Sequence, residues 1–191
     1  MGRLMDRVGA CAWKPERRRT PFEALVRSVA YQQLHGTAAA AIVKRMLALY
    51  PGRKFPSPQE ILATPEETLR GAGLSRSKVA AIRDLAARTI EGVVPDSRAI
   101  TRLKDEAIVE RLTTVRGVGP WTVHMLLIFK LGRPDVLPTT DFGVRKGFSL
   151  AYGRPEMPTP GELLAHGEIW RPFRTYAAWY LWRACDLPPA S

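Results

Sequence analysis

The sequence predicts an all-α fold of about ten short helices, on three observations. Apolar residues recur at intervals of three and four along most of the chain, the spacing of one helix face. Ser or Thr followed by Pro and then an acidic residue, a typical helix start, occurs repeatedly. Alternation of apolar and polar residues, the pattern of a half-buried strand, is not found.

The first predicted helices follow these start signals. Thr20-Pro21 begins a helix whose apolar side is formed by Phe22, Leu25, Val26, Val29 and Ala30. An alanine-rich helix is predicted from about 37 to 50 and ends at Pro51-Gly52. Two short helices are predicted after Ser57-Pro58 and Thr64-Pro65, where an N-cap, a proline and an acid stand in order.

A longer helix is predicted from 75 to about 91. Its inward side is formed by Val79, Ile82, Leu85 and Ala86, and its outward side by Arg76, Lys78, Arg83 and Arg88. Further helices are predicted at 104–112, 121–130, about 140–150 and about 171–184. Prolines at 155, 158 and 160 predict a loop before the last of these.

The charge balance indicates an anionic partner. The chain has 191 residues with 29 Lys and Arg against 18 Asp and Glu, a formal charge of +11. A folded domain this basic most often binds nucleic acid. Charge alone does not separate DNA from RNA or from an anionic membrane surface.

The cysteines exclude two kinds of metal centre. Only Cys11 and Cys185 are present, too few for a zinc finger or a four-cysteine iron–sulfur cluster. The longest apolar stretch, 123–129, contains His124 and is too short to cross a bilayer. With no secretory leader apparent at the start, we expect reduced thiols and a cytoplasmic protein that does not enter membranes.

The most informative segment is a predicted helical hairpin around Gly117-Val118-Gly119. Two glycines allow a tight turn between the helices at 104–112 and 121–130, and Val118 is expected to point inward. Backbone N–H groups around Gly119 then face outward, where a DNA phosphate could bind them without regard to base sequence.

Asp141 is the candidate catalytic carboxylate. It follows Gly119 by 22 positions, in Leu137-Pro138-Thr139-Thr140-Asp141, at the predicted start of a helix. The helix dipole and free N–H groups there favour the ionised side chain. Taken alone, such an Asp is better explained as a simple N-cap.

Together these two motifs resemble the helix-hairpin-helix-GPD superfamily of DNA glycosylases. The residues are Leu112, Val115, Gly117, Val118, Gly119, Trp121 and Thr122 in the hairpin, then Leu137, Pro138 and Asp141. Within the superfamily the chain is similar to the 3-methyladenine DNA glycosylases of type II, in a compact form lacking an N-terminal β domain. The similarity extends upstream to 21–34 and downstream to Trp170 and Trp182, so it covers nearly the whole chain.

The resemblance implies a fold and a reaction. The fold is a single domain over 1–191, with two helical lobes flanking a cleft and a helix-hairpin-helix at about 104–131. The reaction is hydrolysis of the N-glycosidic bond of alkylated bases, of the 3-methyladenine or 7-methylguanine type, flipped out of double-stranded DNA. Asp141 would stabilise the oxocarbenium-like sugar, and no cofactor is needed.

The absence of a lysine two positions after Gly119 predicts a monofunctional enzyme. Superfamily members that also cut the backbone carry a Schiff-base lysine two positions after the second hairpin glycine. Trp121 occupies that position here.

The resemblance also assigns binding roles. The base pocket would be formed by Trp121, Trp182, Met125 and Gln32, with core packing the alternative for each of the aromatic and Met residues. The space left by the flipped base would be filled by Gln33, flanked by Leu34 and His35.

Other DNA contacts are expected at Gly117, Gly119, Thr122, Arg145 and Lys146, although the last two could equally form a solvated face. Carbonyls of Thr113, Val115 and Val118 would bind a structural alkali ion.

Two alternatives compete with this hypothesis. A non-catalytic helix-hairpin-helix lesion sensor has no need of a carboxylate facing anionic DNA, which disfavours it. A glycosylase for mismatched or oxidised bases is disfavoured by Trp121 and by the missing cysteine cluster. We expect a monomer, and the shape of the pocket rather than any motif decides which alkylated base is preferred.

Overall fold

The computed structural model describes residues 1–34 and 36–188, and every regular element among them is helical. The all-α prediction is therefore confirmed. The α-helices in this part of the chain are α1 (Gly2–Val8), α2 (Pro21–Tyr31), α3 (Gly36–Ala48), α4 (Pro58–Ala63), α5 (Glu66–Gly71), α6 (Arg76–Ile90), α7 (Ser97–Ile100), α8 (Asp105–Leu112), α9 (Pro120–Leu126), α10 (Phe142–Tyr152), α11 (Pro160–Gly167) and α12 (Arg174–Ala184). A π-helical turn covers Leu127–Leu131 and a 3₁₀ turn covers Glu168–Trp170.

Helix starts were predicted well wherever a side chain caps the helix. The Thr20 hydroxyl accepts a hydrogen bond from the Glu23 N–H, and the Ser75 hydroxyl accepts one from the Lys78 N–H. All five apolar residues predicted for the inner face of α2 are buried, as are the four predicted for α6. These starts and faces are therefore dictated by local sequence.

Predictions around prolines were wrong in two places. Thr64 does not cap α5: its hydroxyl donates to the Glu60 carbonyl at the end of α4, and α5 begins beyond Pro65 with no side-chain cap. The connection predicted before the helix at about 171 contains a helix that was not predicted, α11, where Thr159 and Glu162 form a capping box. Pro160 stands at the first helical position, where a proline is tolerated because no N–H is needed. The short helices α1 and α7 were not predicted.

The contacts divide the chain into two compact units. The hairpin unit is Arg17–Leu126, and in it α6 packs against α2, α4 and α5 while α2 also contacts α3 and α9. The Asp141 unit consists of Met1–Glu16 and the chain from Leu127 onward, in which α10 packs along α12 and α1 packs against α12. None of the helices in the described ranges is long and apolar enough to cross a membrane.

A close approach of two backbones fixes the register of α10 on α12. A Cβ at Gly147 would collide with the carbonyl group of Leu181, so only glycine allows this contact. Around it, α10 buries Val144 and Phe148 while α12 buries Ala178. Four residues before Gly147, this register brings Gly143 against Trp182 of α12.

An aromatic cluster in the Asp141 unit encloses His166. Its ring centroid lies 4.9 Å from that of Phe148, 4.8 Å from that of Tyr152 and 5.1 Å from that of Trp170. Burial lowers the pKa of His166 below its ordinary value of 6.5, and the charges of Arg154 and of the N-terminus lower it further. The folded protein therefore favours the neutral ring.

The stability of the protein is expected to decrease on acidification because of His166. The unfolded chain takes up this proton at a higher pH than the folded protein, so the free energy of unfolding falls as the pH drops through about 6.5 and below. His166→Phe keeps a flat ring among the same neighbours and should remove this part of the dependence. Urea unfolding of both proteins between about pH 8 and pH 5.5 measures it. The same change in stability with pH in both proteins would contradict the assignment.

Candidate active site

The Asp141 carboxylate is held by two hydrogen bonds to one oxygen. Asp141 is the N-cap of α10, and its Oδ1 accepts the Val144 N–H at 2.8 Å. The same Oδ1 accepts the indole N–H of Trp182, also at 2.8 Å. A helix cap requires only the first of these bonds. The second, from a residue 41 positions away, fixes the orientation of the carboxylate beyond what capping needs.

The residues before Asp141 anchor its backbone. Leu137 is buried in the core of the Asp141 unit, and its side chain contacts Gly167. The Pro138 carbonyl accepts the Asp141 N–H at 3.0 Å. The Leu-Pro-x-x-Asp motif thus connects the core to the start of α10 and fixes the backbone at Asp141.

Trp182 lies beside the carboxylate, where sequence reasoning had placed it only in the base pocket. Its ring is half-buried and stacks on Phe129, with centroids 5.6 Å apart and planes inclined by 27°. Its N–H is directed at Asp141 rather than at a base. Sequence reasoning missed Phe129, which is 41% exposed despite its apolar ring. Its aromatic character within the predicted helix 121–130 was the only available signal.

Gly143 makes room for this arrangement. A Cβ there would lie 2.8 Å from Cδ1 of Trp182 and 3.2 Å from Oδ1 of Asp141. A larger residue would push the indole away from the carboxylate. The Gly143 carbonyl also accepts a hydrogen bond from the Cys185 thiol, at 3.4 Å between Sγ and O.

In the hairpin unit, the turn between α8 and α9 has the predicted form. Gly117 has φ +74°, a conformation that favours glycine, and a Cβ there would lie only 2.6 Å from the Cβ of Ala81 on α6. Val118 is buried, as predicted. The Asp84 carboxylate of α6 accepts the Arg116 N–H at 2.8 Å, so α6 supports the turn at two points.

The loop after α2 is tied to the hairpin by Gln32. The Nε2 group of Gln32 donates to the Gly117 carbonyl and to the Thr122 hydroxyl, each at 2.9 Å. Thr122 was predicted to contact DNA, and Gln32 was predicted to line the base pocket. Thr122 is buried and its hydroxyl is bonded to Gln32, so a phosphate contact would have to come from its backbone. The Gln32 side-chain amide is likewise bonded to the hairpin and does not line a base pocket in this conformation.

The next residues on this loop are exposed. Gln33 has φ +57°, which is rare for a residue other than glycine, and Leu34 is 41% exposed. Both side chains are accessible to a partner, as a role against DNA requires. His35, the third predicted residue here, lies outside the described residues.

Comparison with known proteins identifies the family of this chain. A family model described as HhH-GPD superfamily base excision DNA repair protein matches residues 26–172. The chain belongs to this superfamily. It is 42% identical over 188 residues to DNA-3-methyladenine glycosylase 1 of Schizosaccharomyces pombe. The aligned region covers 97% of this chain and 82% of that protein. It is 28% identical to DNA-3-methyladenine glycosylase 2 of Escherichia coli, over 84% of this chain and 56% of that one.

Solved structures show the same fold. The Schizosaccharomyces pombe 3-methyladenine DNA glycosylase in complex with abasic DNA has a TM-score of 0.93 at 41% identity, covering 100% of this chain and 93% of that one. DNA-3-methyladenine glycosidase from Bacillus halodurans has a TM-score of 0.81 at 32% identity, and the match covers 96% of this chain and 82% of that one. The family and these relatives together identify this chain as a DNA glycosylase of base excision repair.

Four other predicted residues of the glycosylase have distinct surroundings. Met125 is buried on α9, in keeping with core packing, whereas Trp121 on the same helix is half-buried. Arg145 donates through Nε to the Pro158 carbonyl at 2.7 Å, so one of its five N–H donors is used within the protein. Lys146 is exposed and remains the stronger candidate for a phosphate contact.

The carbonyls predicted to bind an alkali ion lie at the end of α8 and in the hairpin turn. Thr113 is the C-cap of α8, next to the last helical carbonyls, which have no partner within the helix. The Val115 carbonyl accepts the Val118 N–H at 3.1 Å and has a second lone pair available. Neutral oxygens are what such an ion prefers, and the ion at Thr113, Val115 and Val118 stays a prediction. In the described ranges, no cluster of three or more His, Cys, Asp or Glu side chains is arranged to bind a metal.

Trp182→Phe is expected to slow base release by about tenfold, since a hydrogen bond to a charged group contributes about 1.5–3 kcal/mol. The Phe ring can still stack on Phe129, but it cannot donate to Asp141. The measurement is the single-turnover rate of base release at saturating enzyme, together with affinity for abasic duplex and the melting temperature. The rate should fall while the affinity for abasic duplex stays native, and the melting temperature shows that the variant is folded under the assay conditions.

Trp179→Phe provides the matched control. Trp179 is half-buried on the same helix, and its ring contacts Tyr180 and Arg183. We expect it to release base at the native rate. A native rate for Trp182→Phe as well would show that its N–H does not position the carboxylate.

Proposed function

We propose that the protein is a monofunctional DNA glycosylase that hydrolyses the N-glycosidic bond of alkylated bases of the 3-methyladenine and 7-methylguanine type in duplex DNA. The observation that carries the proposal is the Asp141 carboxylate, fixed through Oδ1 by the Val144 and Trp182 N–H groups. The substrate class follows the name of the 42% identical relative, a DNA-3-methyladenine glycosylase.

Asp141 supplies the electrostatic part of the reaction. As the bond to the base breaks, positive charge develops on the deoxyribose, and a nearby carboxylate stabilises it. A carboxylate already held in place has no reorganisation to undergo when that charge appears. It can also orient the water that attacks the sugar. The N-alkylated base carries a positive charge and leaves neutral, so no strong general acid is required.

The remaining residues bind and open the duplex. Gln33 fills the space of the flipped base, with Leu34 beside it. In the Asp141 unit, Phe129 is stacked on Trp182 and offers an aromatic face for a cationic base. The hairpin turn at Gly117 and Gly119 and the exposed Lys146 bind phosphates. An alkali ion on the hairpin carbonyls would bring positive charge close to that phosphate. The protein acts as a monomer in the cytosol.

The reaction stops at the abasic site because the hairpin lacks an amine nucleophile at the position that lyase members use. Trp121 stands there, and its indole cannot form a Schiff base with the sugar.

Asp141→Asn is expected to reduce base release by about a hundredfold or more, because a neutral amide does not offset the charge of the sugar. The substrate is an end-labelled duplex with one 7-methylguanine, and hot alkali converts each abasic site into a measurable break. Asp186→Asn is the matched control, since Asp186 is an exposed carboxylate that pairs with Arg183. It should behave as the native protein. A near-native rate for Asp141→Asn would reject the mechanism.

The same reactions test the absence of lyase activity. Without alkali the labelled strand should stay intact, and borohydride should trap no covalent protein–DNA adduct. Breaks before alkali, or a trapped adduct, would mean that an amine of the protein attacks the sugar.

A further inference from the structure

One side of α6 supports both loops that the proposed function brings to DNA. Lys78, Ala81 and Asp84 follow one another at intervals of three, which places them on one side of the helix. Lys78 contacts the loop after α2, Ala81 lies against Gly117, and Asp84 accepts the Arg116 N–H. All of these residues lie in the hairpin unit.

Lys78 binds the end of α2 through two backbone carbonyls. Its Nζ donates to the carbonyls of Ala30 and Gln32, each at 2.8 Å. The last carbonyls of a helix lack partners within it, and a cation is favoured at that end of the helix dipole. Burial lowers the pKa of Lys78, in keeping with an ammonium drawn out of solvent to reach these two oxygens.

These contacts surround the peptide group that precedes Gln33. Its carbonyl oxygen, that of Gln32, is bonded to Lys78. The Gln32 side chain is bonded to Gly117 and Thr122, and the Leu34 N–H donates back to the Tyr31 carbonyl at 3.3 Å. The loop is therefore held on the α6 side, on the hairpin side and along its own backbone.

Gln33 needs this support because of its backbone conformation. A φ of +57° is unfavourable for a side chain with a Cβ and persists only where neighbouring contacts enforce it. Without the contacts of Gln32 and Lys78, the loop would relax to commoner conformations. Gln33 would then have to be ordered again each time it entered DNA, at a cost in entropy.

We propose that Lys78 and Gln32 are positioning residues that hold Gln33, before DNA is bound, in the conformation from which it enters the duplex as the base flips out. This inference rests on the proposed glycosylase function. It gives Lys78 no contact with the base or the sugar, because both of its bonds are to carbonyls of its own chain. Its effect should therefore appear in opening the duplex and not in breaking the glycosidic bond.

The test compares Lys78→Met with the native protein on two duplexes. One has 7-methylguanine paired with cytosine, and the other has it opposite an abasic site, where little pairing must be broken. We expect the single-turnover rate at saturating enzyme to fall about tenfold on the paired duplex, the order expected for ordering the backbone of one residue again. On the unpaired duplex it should fall less than about twofold.

A double variant shows whether Lys78 acts through Gln33. In a Gln33→Ala background, Lys78→Met should cause little further loss on the paired duplex, because the side chain it positions is gone. Arg76→Met, which removes a charge from the exposed first residue of α6, is the matched control. Its ratio of rates on the two duplexes should equal that of the native protein.

Three results would overturn the inference. The first is an equal loss of rate for Lys78→Met on both duplexes, and the second is a full further loss of rate when Lys78→Met is added to Gln33→Ala. The third is a change in the ratio of the two rates for Arg76→Met as large as that for Lys78→Met. If Lys78→Met fails to fold, as judged by its melting temperature, Gln32→Leu loosens the same loop from the hairpin side and should give the same preference for the unpaired duplex. Equal losses for that variant would count equally against the inference. If the native protein releases no base from either duplex, the proposed function itself fails.

Discussion

The backbone of α10 approaches that of α12 so closely that the Leu181 carbonyl occupies the space where a side chain at position 147 would begin. This contact sets the register of the two helices, and the register brings the Trp182 N–H within 2.8 Å of Asp141. Gly143, one turn before Gly147, leaves room for the indole. The geometry of the carboxylate thus depends on two glycines that have no side chain with which to take part in the chemistry. Replacing either glycine would shift the position of the Asp141 carboxylate but leave its chemical identity unchanged.

The hairpin unit uses a comparable arrangement for binding. Gly117 lets the turn approach Ala81 of α6, just as Gly147 lets α10 approach α12. On the same side of α6, Asp84 and Lys78 fix the backbone of the turn and of the Gln33 loop through charged hydrogen bonds. Each unit therefore uses a glycine to let one backbone approach a neighbouring helix closely, and side-chain hydrogen bonds then orient Asp141 in one unit and the Gln33 loop in the other.

Sequence reasoning succeeded where the information is local. Caps and apolar spacing predicted α2 and α6, and the glycine pair predicted the turn at Gly117. It failed where a contact joins distant residues. Trp182 was expected only to offer its ring, because nothing in the chain shows that its N–H reaches a residue 41 positions away. Lys78 was assigned to the solvent side of α6, since its alternative partners, two carbonyls on α2 and its loop, leave no trace in the sequence.

The central claim is that Asp141 stabilises positive charge on the sugar. It is tested most directly by comparing affinities for two abasic-site mimics in one duplex, a cationic pyrrolidine and a neutral tetrahydrofuran. The native protein should bind the cationic mimic about a hundredfold more tightly, as expected for an analogue of the charged transition state. Asp141→Asn should lose that preference while binding the neutral mimic as the native protein does. An equal preference for the cationic mimic in both proteins would contradict the account.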